Sequence, residues 1–366
     1  MLEKIRVGIL FGGRSAEHEV SLQSAKNIIE GIDRSKYIVV LIGVEKTGQM
    51  YLFEETNYLL DASDPKRIRL NKSNIEVAFA PGRSSARLVV INGNAKAPEV
   101  DVVFPVLHGP FGEDGSMQGL LKSANLPFVG CGILASAVAM DKVFAKRLFK
   151  DSAIPTNKFM VVKQSDVNIP SFEQIKQQLG MPVFIKPANL GSSVGVNKVT
   201  NVEEYQTALQ DAFQYDVKAI IEEFIEGREL ECAVLGNAVP RASGVGEVVP
   251  TKGFYSYQAK YIDEDGALLK IPAEITNEQE DKIKELAIKA FQALGCEGMA
   301  RCDFFLTSGG KVLINEINTI PGFTNISQYP KLWEKAGLSC RELIDQLIQL
   351  AIERFNAEQK LKVTVE

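Results

Sequence analysis

The chain has 366 residues, which is enough for two or three domains that each bury a core of their own. Hydrophobic residues make up 45% and charged residues 24%, and no apolar run approaches the ~18 residues that would suggest a membrane span. The formal net charge of −5 and the lack of a long basic run argue against nucleic acid as the main partner.

The N-terminus and the cysteines indicate a cytoplasmic protein. The segment MLEKIRVGILFGG has a short apolar run that ends at Gly-Gly, with no small-residue cleavage site, so we expect a first strand and no signal peptide. The five cysteines include no C-x-x-C pair and are expected to be free, mostly buried thiols. The two histidines lie far apart in the sequence, which argues against a histidine-based zinc site.

The first 120 residues alternate strand and helix patterns. Strand-like runs IRVGILF, YIVVLIGV and VDVVFPVL accompany a helical EVSLQSAKNIIEGI, and we expect the polar stretch 54–100 to be rich in loops. This alternation predicts βαβ units and a parallel sheet. Ligands bind beyond the C-terminal ends of such strands, where the loops GGRSAEHE and HGPFGEDGS fall.

The rest of the chain predicts further helices and strands. A helical region precedes MPVFIKPANLGSSVGVNKV, whose pattern is strand, glycine-rich turn, strand, and the helix NVEEYQTALQDAF and the strand KAIIEEFI follow. A β-rich region to about 275 leads to the helix NEQEDKIKELAIKAFQAL, the strands MARCDFFL and KVLINEIN, and a last helix RELIDQLIQLAIERF. We predict an α/β fold with domains at 1–122, 123–218 and 219–366.

The two strands MARCDFFL and KVLINEIN predict a hairpin around Gly309-Gly310. If the residues on either side of these glycines pair, Asp303 lies opposite Glu316 and Arg301 lies opposite Asn318. Opposite residues share a face with their Cβ atoms ~5 Å apart, so one face would carry all four side chains. A slip of one residue would separate them.

Two carboxylates and an amide on one face make an oxygen-only site. Such a site suits Mg²⁺, which completes its shell with water and substrate phosphates, and therefore implies a nucleotide. For any single polar pair a solvated sheet face with an Arg–Asp ion pair is the more common case. The match at four positions favours a metal site.

The segment FIKPANLGSSVGV indicates a phosphate-binding turn. Lys186 ends a strand directly before the glycine- and serine-rich turn 191–195, whose backbone N–H groups can approach phosphate oxygens. It is not a Walker A loop, and a turn of this kind alone is usually only a hairpin, but the lysine favours the phosphate role. GCGILA at 130–135 fits a loose G-x-G-x-x-A, and because no acidic residue follows at the right distance, we interpret it as a helix-entry turn.

Several motifs together resemble those of the D-alanine–D-alanine ligases, a family of ATP-grasp enzymes. In chain order they are FGGRSAEHEVSLQSA, HGPFGEDGS, MDK, FIKPANLGSSVGV, EEFIEGRE, FYSYQAKY, GMARCDFF and NEINTIPGFTNIS. The resemblance covers most of the chain. It implies an ATP-grasp fold with an N-terminal Rossmann-like domain, and the ATP-dependent joining of two D-alanine molecules through an acyl phosphate for peptidoglycan synthesis.

The resemblance also implies the nucleotide and metal contacts. The phosphates of ATP would meet Lys142 and Lys186 beneath the turn that carries Ser192 and Ser193. Without the resemblance, EEFIEGRE would be interpreted as an edge strand with an acidic turn. The implied adenine, ribose and lid contacts to ATP are Glu222, Phe224, Ile225, Glu229 and Lys260, and the implied ligands of two Mg²⁺ ions, replaceable by Mn²⁺, are Asp303, Glu316 and Asn318.

The D-alanine contacts are implied in the same way. Glu17 would hold the ammonium group of the first D-alanine, with His108 close to the substrate. Arg301 and the backbone N–H of Gly322 would stabilise the oxyanion of the tetrahedral intermediate, and Ser327 would bind the carboxylate of the second substrate. By itself, a histidine in a strand-end loop is more often a hydrogen-bonded structural residue.

The segment GFYSYQAKY resembles the mobile lid of the family. There, Tyr261 and Ser192 would connect the lid to Glu17, and the closed lid would keep water from the acyl phosphate. Without the resemblance, its alternating tyrosines and lysine would suggest a partly exposed strand. Tyrosine at 261 favours D-alanine as second substrate, since relatives that make D-alanyl-D-lactate carry histidine in that region.

Two alternative functions stay open on the sequence. One is a ligase of the same fold that takes D-lactate or D-serine as second substrate; Tyr261 argues against the former and less clearly against the latter. The other is a non-catalytic nucleotide-binding or redox protein built on GCGILA, which would not need Asp303, Glu316 and Asn318 together. The family implies a cytoplasmic homodimer.

Overall fold

The computed structural model of the chain describes residues 3–82, 87–92, 96–250, 267–362 and 364–365. The predicted lid, with Lys260 and Tyr261, lies outside these ranges. Among the residues inside them, no helix is both long and apolar enough to cross a membrane.

The N-terminal region is built on a six-stranded sheet. Its strands are β1 (Ile5–Gly12), β2 (Tyr37–Val44), β3 (Met50–Phe53), β6 (Glu76–Phe79), β7 (Leu88–Val90) and β8 (Val102–Val106), while β4 (Leu59–Leu60) and β5 (Arg69–Leu70) pair separately. The sheet order is β7-β6-β3-β2-β1-β8, with β1 parallel to both β2 and β8, as predicted. The stretch 54–100, expected to be rich in loops, contains the four short strands β4 to β7.

Two antiparallel sheets follow. The smaller has the order β11-β10-β12-β9 and consists of β9 (Phe159–Lys163), β10 (Val183–Pro187), β11 (Asn197–Val199) and β12 (Lys218–Glu223). The larger has the order β15-β14-β13-β16-β17 and consists of β13 (Gly227–Gly236), β14 (Arg241–Pro250), β15 (Ala267–Lys270), β16 (Gly298–Thr307) and β17 (Val312–Asn318). With the helices below, these sheets confirm the α/β prediction.

Five helices in the described ranges begin at a polar side chain that accepts free backbone N–H groups of the first turn. Thr276 and Ser339 each accept a backbone N–H of the first turn, and the glutamine or glutamate three positions later binds back to the cap. Gly132 precedes a helix, which confirms that GCGILA is a helix-entry turn. The helices of the described residues are His18–Gly31, Ser116–Ser123, Ile133–Met140, Lys142–Asp151, Phe172–Leu179, Val202–Ala212, Asn277–Ala293, Gln328–Lys335 and Cys340–Glu358.

The last helix joins the N-terminal region to the large sheet. Leu343, Leu347 and Ile348 of this helix are fully buried in a core cluster with residues of β1, β8 and β13. The five cysteines are free thiols, as predicted, and four of them are buried. This shared core brings the ends of β1 and β8 next to β16 and β17.

Candidate active site

The strand pair β16–β17 carries four polar side chains on one face. Arg301 lies opposite Asn318, and Asp303 lies opposite Glu316. All four are half-buried, whereas their neighbours Cys302 and Ile317 point into the core. The predicted register is confirmed at these positions.

The predicted turn of this hairpin is wrong. The N–H of Thr307 donates to the carbonyl oxygen of Lys311 at 3.0 Å, so the turn has three residues and Ser308 does not face Lys311. Asn315 is an extra residue in β17, at the point where the register shifts by one. This β-bulge compensates for the longer turn and returns the site residues to their predicted pairing.

Arg301 is held by carboxylates from two strands. Its Nε and Nη2 donate to the two carboxylate oxygens of Asp303, each at 2.7 Å, and its Nε lies 3.1 Å from Glu231 Oε2. Glu231 on β13 is directly opposite Asp303. These ion pairs orient the planar guanidinium. Sequence analysis missed Glu231, although it lies two positions after Glu229 and therefore shares its strand face.

Lys142 reaches this face from the start of a helix. The Asp141 side chain caps that helix by accepting two backbone N–H groups of its first turn. The Nζ of Lys142 donates to the carbonyl oxygen of Leu190 at 2.6 Å and lies 3.4 Å from Glu316 Oε2. Lys142 thereby connects the glycine-rich turn to β17.

A buried ion cluster lies beside β12. Glu222 is 3% exposed, with Lys186 Nζ at 2.6 Å from its Oε2 and Lys146 Nζ at 2.9 Å from its Oε1. Burial alone would raise the pKa of Glu222, but the two ammonium groups outweigh it and lower this pKa to about 2. Burial also disfavours the charge of Lys186, yet the Glu222 carboxylate raises the pKa of Lys186. The sequence indicated Lys186 and Glu222 but not Lys146.

The other residues expected to contact adenine and ribose follow β12. Phe224 is 41% exposed, and its ring lies 6.1 Å from that of Phe184. Ile225 and Glu229 are half-buried. An exposed aromatic face suits a flat base, but the contact of these residues with ATP stays a prediction.

The glycine- and serine-rich turn lies against Glu17. The hydroxyl of Ser192 donates to the Glu17 carboxylate, which joins the small sheet to the loop after β1. Ser192 and Ser193 have φ values of 55° and 59°, in the left-handed region. Such conformations are costly and cluster at ligand clamps, which fits the predicted role of this turn.

Glu17 also has an acidic neighbour, Glu113, in the loop after β8. Glu113 is buried and accepts the backbone N–H of Gly109 at 2.6 Å. Its burial and the nearby charge of Glu17 raise the pKa of Glu113 to about 8. Sequence analysis singled out the loop HGPFGEDGS but not this residue, because only the fold shows that its side chain turns inward.

His108 supports a loop of the large sheet. Its Nδ1 donates to the carbonyl oxygen of Ile320 at 3.0 Å, and its Nε2 lies 3.1 Å from Ser24 Oγ. Burial lowers the pKa of His108, so the neutral ring accepts from Ser24, whose oxygen in turn accepts the N–H of Phe323 at 3.1 Å. The histidine therefore lies behind the loop that carries Gly322.

Gly322 and Ser327 lie together at the end of this loop. A Cβ on Gly322 would stand 2.7 Å from Ser327 Oγ, so only glycine fits here without displacing the hydroxyl. Ser327 Oγ accepts the N–H of Thr324 at 2.9 Å. Both residues line the same cleft.

Many of these groups line one open cleft. Its walls come from the N-terminal sheet, the glycine-rich turn and the large sheet. The predicted site residues that line it are Glu17, Lys142, Ser192, Arg301, Glu316, Asn318, Gly322 and Ser327, and the lining residues that sequence analysis missed include Glu113 and Glu231.

The predicted metal ligands have the chemistry that Mg²⁺ prefers. Asp303 and Glu316 face each other across the strand pair, and each is paired with a cation, Arg301 or Lys142. Asn318 adds an amide oxygen on the same face. Over the described ranges, no three His, Cys, Asp or Glu side chains cluster as a metal site on their own. The donor set therefore fits a cation that takes its remaining ligands from phosphates and water.

Two family models match the chain over well above half of its length. One is described as "D-ala D-ala ligase N-terminus" and matches residues 6–131. The other is described as "D-ala D-ala ligase C-terminus" and matches residues 148–349. Their junction falls in the helical region between the N-terminal sheet and the small sheet.

Individual relatives match over nearly the whole chain. The D-alanine–D-alanine ligase of Oceanobacillus iheyensis is 54% identical over 359 residues, which is 98% of each chain. The solved structure of the D-alanine-D-alanine ligase from Coxiella burnetii superposes with a TM-score of 0.85 at 37% identity, over 98% of this chain and 97% of that one. The VanG D-Ala:D-Ser ligase from Enterococcus faecalis gives 0.82 at 37% identity, over 95% of this chain and 100% of that one.

Proposed function

Because the chain belongs to the D-alanine–D-alanine ligase family, we propose that its cleft joins two D-alanine molecules into D-alanyl-D-alanine, with ATP converted to ADP and phosphate. The observation that carries this proposal is the meeting of Glu17 with Arg301 and Lys142 in one cleft. A carboxylate able to hold an ammonium group thus faces cations able to hold carboxylate and phosphate oxygens.

The reaction has two steps. The carboxylate of the first D-alanine attacks the γ-phosphorus of ATP and forms an acyl phosphate, and ADP leaves. The amine of the second D-alanine then attacks the acyl carbon, the amide bond forms, the C–O bond to phosphate breaks, and the amine loses a proton. Neither step requires a cysteine or serine nucleophile.

The described side chains supply binding and charge. Glu17 holds the ammonium group of the first D-alanine, and Ser327 binds the carboxylate of the second. Arg301, already oriented by its carboxylate partners, and the N–H of Gly322 stabilise the oxyanion that forms on the acyl carbon. The same cleft collects both substrates, which raises their effective concentration.

The nucleotide is held by the lysines of the small sheet region. Lys142 and Lys186 bind the phosphates, and the turn with Ser192 covers them. Asp303, Glu316 and Asn318 would hold Mg²⁺, in two copies or replaced by Mn²⁺, and the ion would neutralise charge on the transferred phosphoryl group. Asp303 is paired with Arg301, and Glu316 is paired with Lys142.

Domain boundaries, assembly and location are further parts of the proposal. β12 is hydrogen-bonded within the small sheet, so we propose that the second domain ends after Glu223 and not at residue 218. We propose a homodimer that works in the cytoplasm and supplies peptidoglycan precursors.

D-serine as second substrate is a further candidate, favoured by the match to the VanG D-Ala:D-Ser ligase. To separate the two, ADP release would be measured with ATP and Mg²⁺ in the presence of D-alanine alone, of D-alanine with excess D-serine or D-lactate, and of no amino acid. ADP and the dipeptide from D-alanine alone support the ligase proposed here. If ADP is released only when D-serine or D-lactate accompanies D-alanine, that compound is the second substrate. If no mixture releases ADP, the result favours a binding protein.

A further inference from the structure

Lys146 is a buried lysine outside the lining of the cleft. It is 1% exposed and lies one helical turn after Lys142. Its Nζ lies 2.9 Å from Glu222 Oε1, 2.5 Å from Asn157 Oδ1, 3.2 Å from Thr156 Oγ1 and 3.1 Å from the carbonyl oxygen of Asn315. An ammonium group has three protons, and the hydrogen bonds to Asn157, Thr156 and Asn315 use all three. The Glu222 carboxylate adds an ion pair, and together these contacts define the position of the ammonium group.

One side of this network leads to the small sheet. Glu222 on β12 uses one carboxylate oxygen for Lys146 and the other for Lys186. The carboxylate can hold Lys186 in place only while its own orientation is defined. Lys146 supplies that orientation from the opposite side.

The other side leads to the large sheet. Asn315 is the bulge residue of β17, so its carbonyl oxygen leaves the regular pairing and points to Lys146. The next residue is Glu316, a proposed metal ligand. Thr156 strengthens the same connection, because its hydroxyl donates to the carbonyl oxygen of Ile314 at 2.9 Å.

We propose that Lys146 is a positioning residue for ATP, which keeps Lys186 of the small sheet and Glu316 of the large sheet at a fixed separation so that both reach one triphosphate. This rests on the proposed function only in that ATP is the ligand. Lys146 itself is buried and acts through Glu222 and Asn315.

The test compares Lys146→Met with Arg354→Met in the full chain. Arg354 is also a buried cation and binds the carbonyl oxygens of Gly130 and Phe128, away from the cleft, so it controls for the loss of a purely structural contact. KM and kcat would be measured for ATP and for D-alanine, together with the melting temperature with and without ATP and Mg²⁺. We expect Lys146→Met to raise the KM for ATP at least about tenfold, with the KM for D-alanine within about twofold. Arg354→Met should lower only the melting temperature.

A double-mutant cycle separates positioning from general destabilisation. If Lys146 acts through Glu222, the rise in the KM for ATP in the double variant Lys146→Met/Glu222→Gln should be smaller than the product of the rises in the two single variants. The proposal would be overturned if the defects of the two single variants toward ATP multiplied in the double variant. It would also be overturned if Lys146→Met impaired the use of ATP and of D-alanine equally, in proportion to its fall in melting temperature. If Lys146→Met does not fold, Asn157→Ala, which keeps the lysine and removes one acceptor, should show the same selectivity for ATP in weaker form.

Failure of the proposed function has a different signature. A parent protein that melts at a higher temperature with ATP and Mg²⁺ but releases no ADP would refute the ligase reaction, and the loss of that ATP-induced shift in Lys146→Met would still support the role of Lys146. An unchanged shift in the variant would refute it. A parent that shows neither ADP release nor an ATP-induced shift would overturn both.

Discussion

Replacing Gly109 by alanine would place a methyl group against the Glu17 carboxylate. A Cβ at this position would stand 2.7 Å from Glu17 Oε2 and 3.1 Å from Ser15 Oγ, closer than side-chain atoms pack. The carboxylate therefore has to move away. The backbone adds a second cost, because Gly109 has a φ of 75°, and the left-handed region costs an L residue about 1–2 kcal/mol.

The magnitude follows from what Glu17 is proposed to bind. A hydrogen bond to a charged group contributes about 1.5–3 kcal/mol, and 1.4 kcal/mol corresponds to a factor of ten. We therefore expect kcat/KM for D-alanine to fall roughly 10- to 150-fold, whereas the KM for ATP should stay within about twofold. The measurement is steady-state ADP release with each substrate varied in turn.

Gly82→Ala provides the matched control. Gly82 has a φ of 73°, and no atom of the described residues would lie within 4 Å of its Cβ, so this variant carries the backbone strain without the clash. Both variants should be less stable than the parent in thermal unfolding, with the larger loss in Gly109→Ala because of its clash, and only Gly109→Ala should lose affinity for D-alanine. Equal KM values for D-alanine in the parent and in Gly109→Ala would refute the placement of the substrate ammonium at Glu17.

Three further variants test the rest of the site. Glu316→Gln should abolish ADP formation with little change in melting temperature, because it removes the charge of a metal ligand and keeps its shape; near-normal turnover would exclude that role. Arg301→Lys should lower kcat by about 10²–10³, since lysine cannot bind Asp303 with two parallel bonds and also donate to the oxyanion, and an unchanged kcat would contradict this. Glu113→Gln should make stability less dependent on pH. The pKa of Glu113 is about 8 in the fold, above the ~4.3 of an unfolded chain, so between these values the folded state binds more protons and stability falls as pH rises. The free energy of unfolding of the parent should fall by at most about 1.4 kcal/mol per pH unit more than that of the variant. The prediction would be contradicted if stability changed with pH in the same way in parent and variant between about pH 5 and 9.

The register of β16 and β17 shows how far local rules reach. Glycines between two alternating runs were enough to predict the hairpin and the pairs around Asp303 and Arg301. The prediction of the pairs held although the turn was wrong, because the longer turn and the bulge at Asn315 shift the register in opposite directions. Turn length and bulges depend on contacts such as that of Asn315 with Lys146, which no short window of sequence contains.

The missed residues have a common physical reason. Lys146, Glu113 and Glu231 are charged groups whose residue types are almost never buried unless paired, so composition and periodicity place them on the surface. Their partners lie on other elements, such as Glu222 for Lys146 and Arg301 for Glu231. Only the packing of the sheets reveals these pairs. The ligands implied by family resemblance did not depend on this information.

The bulge at Asn315 also separates the two ends of the hairpin. The pairs on the side of the turn follow one register and those on the side of the site another, and the turn residues Ser308–Gly310 are exposed. A change in loop length at this tip therefore alters the strand pairs between the turn and the bulge first, and the pair of Asp303 and Glu316 lies beyond them. The tip is a suitable place to insert a peptide tag or a fluorescent label.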